Sequence, residues 1–501
     1  MTPTNYPALL VLAPLVAAIV CSCASWLRKT LCYPIALVGL VVSFFSSTVL
    51  LSRIIATGEE ITYYMAGWSP PFGIEYRIDL LNSVVLVAVT AIALINLLAS
   101  HQEVLRDAEE KSGTFYAVYL LFITGLIGVV ATGDLFNLYV LLEITSLTSY
   151  ALIAMGDPDR SPMASLNYVF IGVIGASFYL LGVGYIYIMT GSLNMMDVAT
   201  LLPPLHGSTA VLVAFLFCMI GVWIKMALFP MHTWLPNAYA YAPIAAARAI
   251  APLMTKVMVY VMIRLMVTVF GYDYIFKALH LSSSVVWLAA IAIVAGGILA
   301  LGQRDLKKMA AYIIVSEIGY MVGGAWLGNN TGMTGSILHI INDAIMTFAL
   351  FLAMGNIAFR TKNLRFENLS GLFAKMPWSM AGFALAGLSI IGVPPTCGFF
   401  SKWYLVMGGL EAGAYHFVAA LIFSSLVCAI LFFRVFEICF FESAPGDAAA
   451  HDHQGHHHAE VAIEEAPVSS LISLGVVSLL VILVGVYSGT IVQTIIVPFL
   501  G

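Results

Sequence analysis

The chain has 501 residues, of which 61% are hydrophobic and only 9% charged. A soluble domain carries about 25% charged residues, so this composition excludes a soluble enzyme and indicates an integral membrane protein. The apolar segments run to about 20 residues without strict alternation, which points to helices and away from a β-barrel. The net charge of −5 says nothing about partners, because most charges fall in short loops or inside the apolar runs, and no feature suggests nucleic acid.

In chain order, the first apolar run (6–26) lacks a basic region before it and a small-residue cleavage site after it, so it reads as a span and not as a removed signal. Runs at 32–56 and 79–100 complete an N-terminal group, residues 1–112. Runs at 113–132, 134–155, 164–190, 208–230 and 243–268 make a second group, 113–268. Runs at 283–301, 309–327, 332–358, 379–408 and 414–441 make a third, 283–441, and a last run at 468–497 closes the chain within 468–501. The expected architecture is all-α, a polytopic membrane protein of about 14 transmembrane helices.

Lysine and arginine set the expected orientation. With the N-terminus outside, Arg28, Lys29, Arg106, Lys111, Arg160, Arg304, Lys307, Lys308, Arg360, Lys362, Arg365 and Lys375 fall in cytoplasmic loops, against Arg53, Arg77 and Lys277 on the outer side. The bias predicts both termini outside. The stretch 442–467 differs in kind, being polar, acidic and histidine-rich. Its His451, His453, His456, His457 and His458 have metal-binding chemistry, but no fixed ligand geometry is implied, and it reads as a disordered cytoplasmic linker. The seven cysteines form no CxxC pair and have no cluster or zinc spacing, so no redox centre, metal or cofactor is expected, and buried small apolar residues is the better reading of them.

Two stretches break this apolar pattern. In GVWIKMALFPMHTWLPNAYAYAP, Gly221 to Pro243, Lys225 ends a span and Pro230 and Pro236 follow. An ammonium at membrane depth costs roughly 3 kcal/mol on insertion scales and usually faces a cavity or a counter-charge. Proline removes a backbone donor, so the helix is expected to break just past Lys225. GVPPTCGFFSK, Gly392 to Lys402, repeats the design in the twelfth span. The breaks lie five spans apart, and an odd number of spans inverts topology. The second and third groups therefore read as two inverted five-helix repeats with broken helices 7 and 12.

Other charges lie inside predicted spans. Glu143, in the fifth, is the candidate partner of Lys225; Lys256 lies in the eighth, four residues after Pro252. His339 and Asp343 share one face of the eleventh, Glu317 is a further buried acid, and His232 lies in the first break. Arg248, Arg264 and Arg434 fall nearer span ends and are expected to snorkel. Glu143, Lys225, Lys256, His339 and Lys402 form a row along which protons can hop, with water supplying the remaining steps. Ion pairs that only fix helix register are the plainer reading of any one of them. Several on consecutive spans are hard to explain that way, because each costs stability.

WIKMALFPMHTWLPNAYAYAP, LGQRDLKKMAAYIIVSEIGYM and GLSIIGVPPTCGFFSKWYL resemble the antiporter-like subunits of respiratory complex I and of multisubunit Mrp cation/proton antiporters. The likeness is greatest to the Mrp D subunit and its counterparts in membrane-bound hydrogenase-type complexes. It implies fourteen helices, inverted repeats and proton transfer through Glu143, Lys225, Lys256 and Lys402, with His339 matching an eleventh-helix histidine. The chain departs from the family pattern at Asn167-Tyr168, at Asp343 and Thr347, and at ARAIAP in span eight. The resemblance implies a proton-translocating subunit of an assembly in the plasma membrane, with other membrane subunits as partners and protons, with or without sodium, as cargo. Alternatives are a subunit of a quinone, ferredoxin or hydrogenase oxidoreductase with a direct redox role, and a proton-coupled subunit of an inorganic-carbon uptake complex.

Overall fold

The computed structural model describes residues 5–441 and 465–500, apart from the side chains of 107–109 and 441; most of the histidine-rich stretch lies outside the described residues. The chain begins with α1 (Tyr6–Leu27) and α2 (Cys32–Thr57), then a small antiparallel hairpin of β1 (Ile61–Tyr64) and β2 (Glu75–Ile78) in which Ile61 faces Ile78. α3 (Leu80–Ala108), α4 (Ser112–Ala131), α5 (Leu135–Ala154) and α6 (Ser161–Thr190) follow. Next come the short α7 (Met195–Leu201), α8 (Thr209–Met226), the short α9 (Leu235–Tyr241) and α10 (Ile244–Arg264). The second half holds α11 (Ser282–Leu301), α12 (Leu306–Trp326), α13 (Asn330–Thr361), the one-turn α14 (Leu372–Lys375), α15 (Pro377–Ile391), α16 (Cys397–Glu411), α17 (Tyr415–Phe441) and α18 (Val468–Val486).

Among the described residues, thirteen helices are long and apolar enough to cross a membrane. The remaining expected crossing is the broken pair α15 and α16, so the all-α polytopic architecture is present. α10, α12 and α13 are buried along nearly their whole apolar length and form the centre; α1, α2, α6 and α18 turn apolar faces outward. That outward apolar surface is what a bilayer solvates. Among the described residues no disulfide forms; Cys23 is exposed and the other six cysteines are buried.

Both breaks sit where the prolines predict. α8 stops at Met226; Ala227 takes a left-handed conformation (φ 63°), and the N–H groups of Ala227 and Leu228 donate to Ile224 O and Trp223 O. The indole N–H of Trp234 donates to Ile224 O at 3.2 Å, so the broken end is satisfied by protein, as the membrane interior requires. α15 stops at Ile391, with Gly392 left-handed (φ 94°). Its other end is capped from a distance. Glu465, at the described end of the histidine-rich stretch, accepts from Trp378 N at 2.7 Å and from Ser379 Oγ at 2.8 Å.

α8 is held by close backbone approach to α6. A Cβ on Gly221 would lie 2.7 Å from the carbonyl oxygen of Gly175, so two bare glycines let the helices meet. One turn further along α8 stands Lys225.

Candidate functional site

The Lys225 side chain is 1% exposed, which is no snorkelling position. Its Nζ lies 3.0 Å from Glu143 Oε1 and donates to Ser146 Oγ at 2.7 Å. Ser146 follows Glu143 by three residues on α5, so both oxygens face α8 together. The Glu143 side chain keeps 23% exposure, on a flank of α5 where Phe136, Val140 and Leu147 are also exposed.

Lys256 finds its partner in the other half of the chain. Its Nζ lies 3.0 Å from Asp343 Oδ2 on α13, with side chains 2% and 0% exposed, and it also donates to Ala251 O at 3.3 Å. Thr347, one turn beyond Asp343, donates to Asp343 Oδ1 at 2.6 Å. Glu317 of α12, 1% exposed, lies within electrostatic reach of Asp343.

His339 sits one turn before Asp343. Its Nδ1 pairs with Ser401 Oγ at 2.8 Å, its Nε2 has no partner among the described residues, and its ring lies 5.4 Å from that of Tyr320. Lys402, next to Ser401, has no carboxylate within ion-pair distance among the described residues. Its Nζ donates to Ile390 O at 2.6 Å, to Ile391 O at 3.2 Å and to Ser425 Oγ at 3.2 Å, and stands 5.2 Å from the Tyr320 ring centre. The break after α15 frees those carbonyls, and the negative end of the half-helix favours a cation there. His232 is 7% exposed and packs against Phe229 and Tyr312 at ring separations of 5.1 and 6.2 Å.

Two arginines expected to snorkel do not. Arg248 is wholly buried and forms a two-pronged pair with Glu103 of α3, Nη1 to Oε2 at 2.9 Å and Nη2 to Oε1 at 2.7 Å. Arg264 lies 2.6 Å from Asp79, the residue just before α3. Helix α3 continues to Ala108, well past the expected end at 100, which carries Glu103 inside and supplies the missing counter-charge. Burial would raise the Asp79 carboxyl, but the Arg264 guanidinium overrides this and holds it below its ordinary value. Arg434 is exposed, with its guanidinium over the Phe366 ring.

α10 therefore carries three buried cations, Arg248, Lys256 and Arg264, eight residues or about 12 Å apart, each with a carboxylate from a different place in the chain. That regular spacing is visible in the sequence and was the available signal. Ser146, Ser401 and Tyr320 also escaped sequence reasoning, although Ser146 shares a helix face with Glu143 and Ser401 adjoins Lys402.

Comparison with known proteins bears on this geometry. The family model described as NADH:quinone oxidoreductase/Mrp antiporter, TM, matches residues 132–428, which enclose Glu143, Lys225, Lys256, Glu317, His339, Asp343 and Lys402. NADH-quinone oxidoreductase subunit N of Desulforudis audaxviator (strain MP104C) is 41% identical over 493 residues, 98% of each chain. The D subunit of the Na(+)/H(+) antiporter of Alkalihalophilus pseudofirmus (strain ATCC BAA-2126 / JCM 17055 / OF4) is 30% identical over 376 residues, 75% of each chain. A chain of the membrane-bound sulfane sulfur reductase, an archaeal respiratory membrane complex, superposes with a TM-score of 0.89 at 26% identity, covering 99% of this chain and 98% of that one. A chain of the Mrp complex from Dietzia sp. DQ12-45-1b shares the fold, with a TM-score of 0.87 at 22% identity over 99% and 97% of the two chains. With a relative 41% identical along almost its full length and a family model covering more than half of it, this multi-pass membrane chain belongs to the NADH:quinone oxidoreductase/Mrp antiporter transmembrane family.

Proposed function

We propose that the chain is a proton-translocating, antiporter-like subunit of a multisubunit membrane complex, of the Mrp Na+/H+ type or of a related redox-driven kind. Protons move along Glu143, Lys225, Lys256, the Asp343–Glu317 carboxyls, His339 and Lys402. The observation that carries this reading is the Lys225–Glu143 pair, 3.0 Å apart at the end of a broken helix, with the ammonium buried and the carboxylate at the flank of α5. An ammonium tied to a carboxylate keeps its proton; in a low-dielectric site without that carboxylate it gives the proton up. About 1.4 kcal/mol of changed interaction alters proton affinity tenfold, so a small movement of Glu143 suffices to drive transfer.

The exposed flank around Glu143 supports a partner subunit there, because a carboxylate at membrane depth is costly against lipid. The names of the relatives point the same way, since they are subunits of larger assemblies. We place the complex in the plasma membrane with both termini outside, on the lysine and arginine bias. Residues 113–268 and 283–441 act as inverted repeats, each contributing one broken helix and one lysine beside the break. His232, in the first break, is an additional group on the route.

Lys225→Ala tests the reading. Proton flux into vesicles bearing the assembled complex should be abolished while the complex remains intact. Unchanged flux would overturn it.

A further inference from the structure

We infer that three buried tyrosines, Tyr150, Tyr168 and Tyr239, pass protons between the Lys225–Glu143 pair and the Lys256–Asp343 pair. The inference rests on the proposed reading of those pairs as a proton route. It begins from an interruption in the row: Lys225 and Lys256 lie on different helices, each already engaged with its own carboxylate. What lies around and between them is aromatic.

Tyr150 stands one turn after Ser146 on α5, and Ser146 Oγ is the group that holds Lys225 Nζ. The Tyr150 hydroxyl lies beside Ser146 but short of hydrogen-bond geometry, and it has no partner among the described residues. Gly172 faces it, and any side chain there would overlap the hydroxyl, so the space around it is kept by a glycine. The Tyr168 ring meets Tyr150 edge-on, 4.6 Å between centres, and stacks on Trp234 at 3.8 Å with planes 5° apart. Its hydroxyl donates to Met254 Sδ at 3.1 Å, two residues before Lys256, and lies within electrostatic reach of both Tyr150 and Tyr239. Tyr239 meets Trp234 edge-on at 6.2 Å, has no hydroxyl partner among the described residues and lies within electrostatic reach of Asp343. The three residues are 5%, 0% and 0% exposed.

A packing role does not account for these hydroxyls. Phenylalanine would give the same stack and edge contacts, whereas a buried hydroxyl without a partner costs free energy. Thioether sulfur is a weak acceptor, so the Tyr168 hydroxyl is held by a bond it gives up easily. A phenol both donates and accepts, and can take a proton at one lone pair while releasing its own. In the transfer, Lys225 Nζ gives a proton to the Tyr150 oxygen as the Tyr150 proton passes to Tyr168. The Tyr168 proton passes to Tyr239, and the Tyr239 proton passes to Asp343, with water bridging any step too long for direct contact. One proton moves, each hydroxyl is restored, no tyrosinate accumulates, and the hydroxyls then rotate back.

The test uses the assembled complex in vesicles, with Tyr150→Phe, Tyr168→Phe and Tyr239→Phe, singly and as the 168/239 double variant, beside Lys225→Ala. Proton flux should fall by about tenfold or more, the size of a lost positioned proton-transfer group. The thermal unfolding midpoint should be unchanged or raised, and slowed variants should show a larger solvent deuterium isotope effect. Wild-type flux in every phenylalanine variant, with Lys225→Ala inactive, overturns the tyrosine route and leaves the lysine row standing. Flux lost only in proportion to lowered complex yield or melting point also overturns it, in favour of packing. Full flux in Lys225→Ala removes the reading on which the route depends.

Discussion

Gly355 of α13 lies flat against the guanidinium of Arg248 on α10, so close that a Cβ at 355 would overlap it. The missing side chain lets a fully buried arginine sit between two central helices and keep both prongs on Glu103. Gly355→Ala should push the guanidinium off its carboxylate and cost about 1–3 kcal/mol through overpacking, more where the pair separates. Thermal unfolding of the purified protein checks this, with Gly475→Ala, where nothing lies within 4 Å, as the neutral control. An equal effect at both positions would contradict the close packing described here.

Glu143→Gln should uncouple proton transport, because the amide keeps the hydrogen bond to Lys225 but removes the charge that retains its proton. Glu143→Asp keeps the charge on a shorter arm and should retain part of the flux. Vesicle flux assays of the two variants order the outcomes. An Asp variant less active than the Gln variant would count against a charge-based role.

The Lys256–Asp343 pair is buried on both sides, so breaking it from one side leaves an uncompensated charge. Lys256→Met or Asp343→Asn should each cost about 3–5 kcal/mol of stability, and the double variant markedly less than their sum. A double-mutant cycle on unfolding free energies measures the coupling. Additive effects would mean that the two groups do not interact in the folded protein.

Asp79 ties the start of α3 to Arg264 and also closes a reciprocal cap with Asn82, accepting from Asn82 N at 3.0 Å while its own N–H donates to Asn82 Oδ1 at 2.7 Å. Its carboxyl is held below the ordinary 3.8 by Arg264 against the effect of burial. A depressed folded value stabilises above the unfolded one and is lost as pH falls through the folded one. Asp79→Asn should therefore cost about 3 kcal/mol at neutral pH. The gap from wild type should narrow only below the ordinary carboxylate range. A gap that widens in acid would reverse the assigned sign.

Much of this molecule was legible in its letters because the bilayer acts locally. Twenty apolar residues in a row must form a helix wherever they end up, and a proline past Lys225 or at 394–395 must interrupt one, so spans and breaks were readable in chain order. Lys225 and Glu143 could be matched because each is costly alone and few charges lie in neighbouring spans. Tertiary structure decided the rest. Arg248 and Arg264 looked like snorkelling residues because Glu103 lay beyond the predicted end of α3, and because Asp79, at the first position of that run, is far from Arg264 in the sequence. Lys402 found helix-end carbonyls in place of a carboxylate. Asp343, 87 residues from Lys256, met it only because α10 and α13 pack side by side at the centre with the right faces turned inward. Which face a helix turns to its neighbour depends on packing angle and on small residues such as Gly221 and Gly355, and hydropathy, which sums along one segment, carries no record of either.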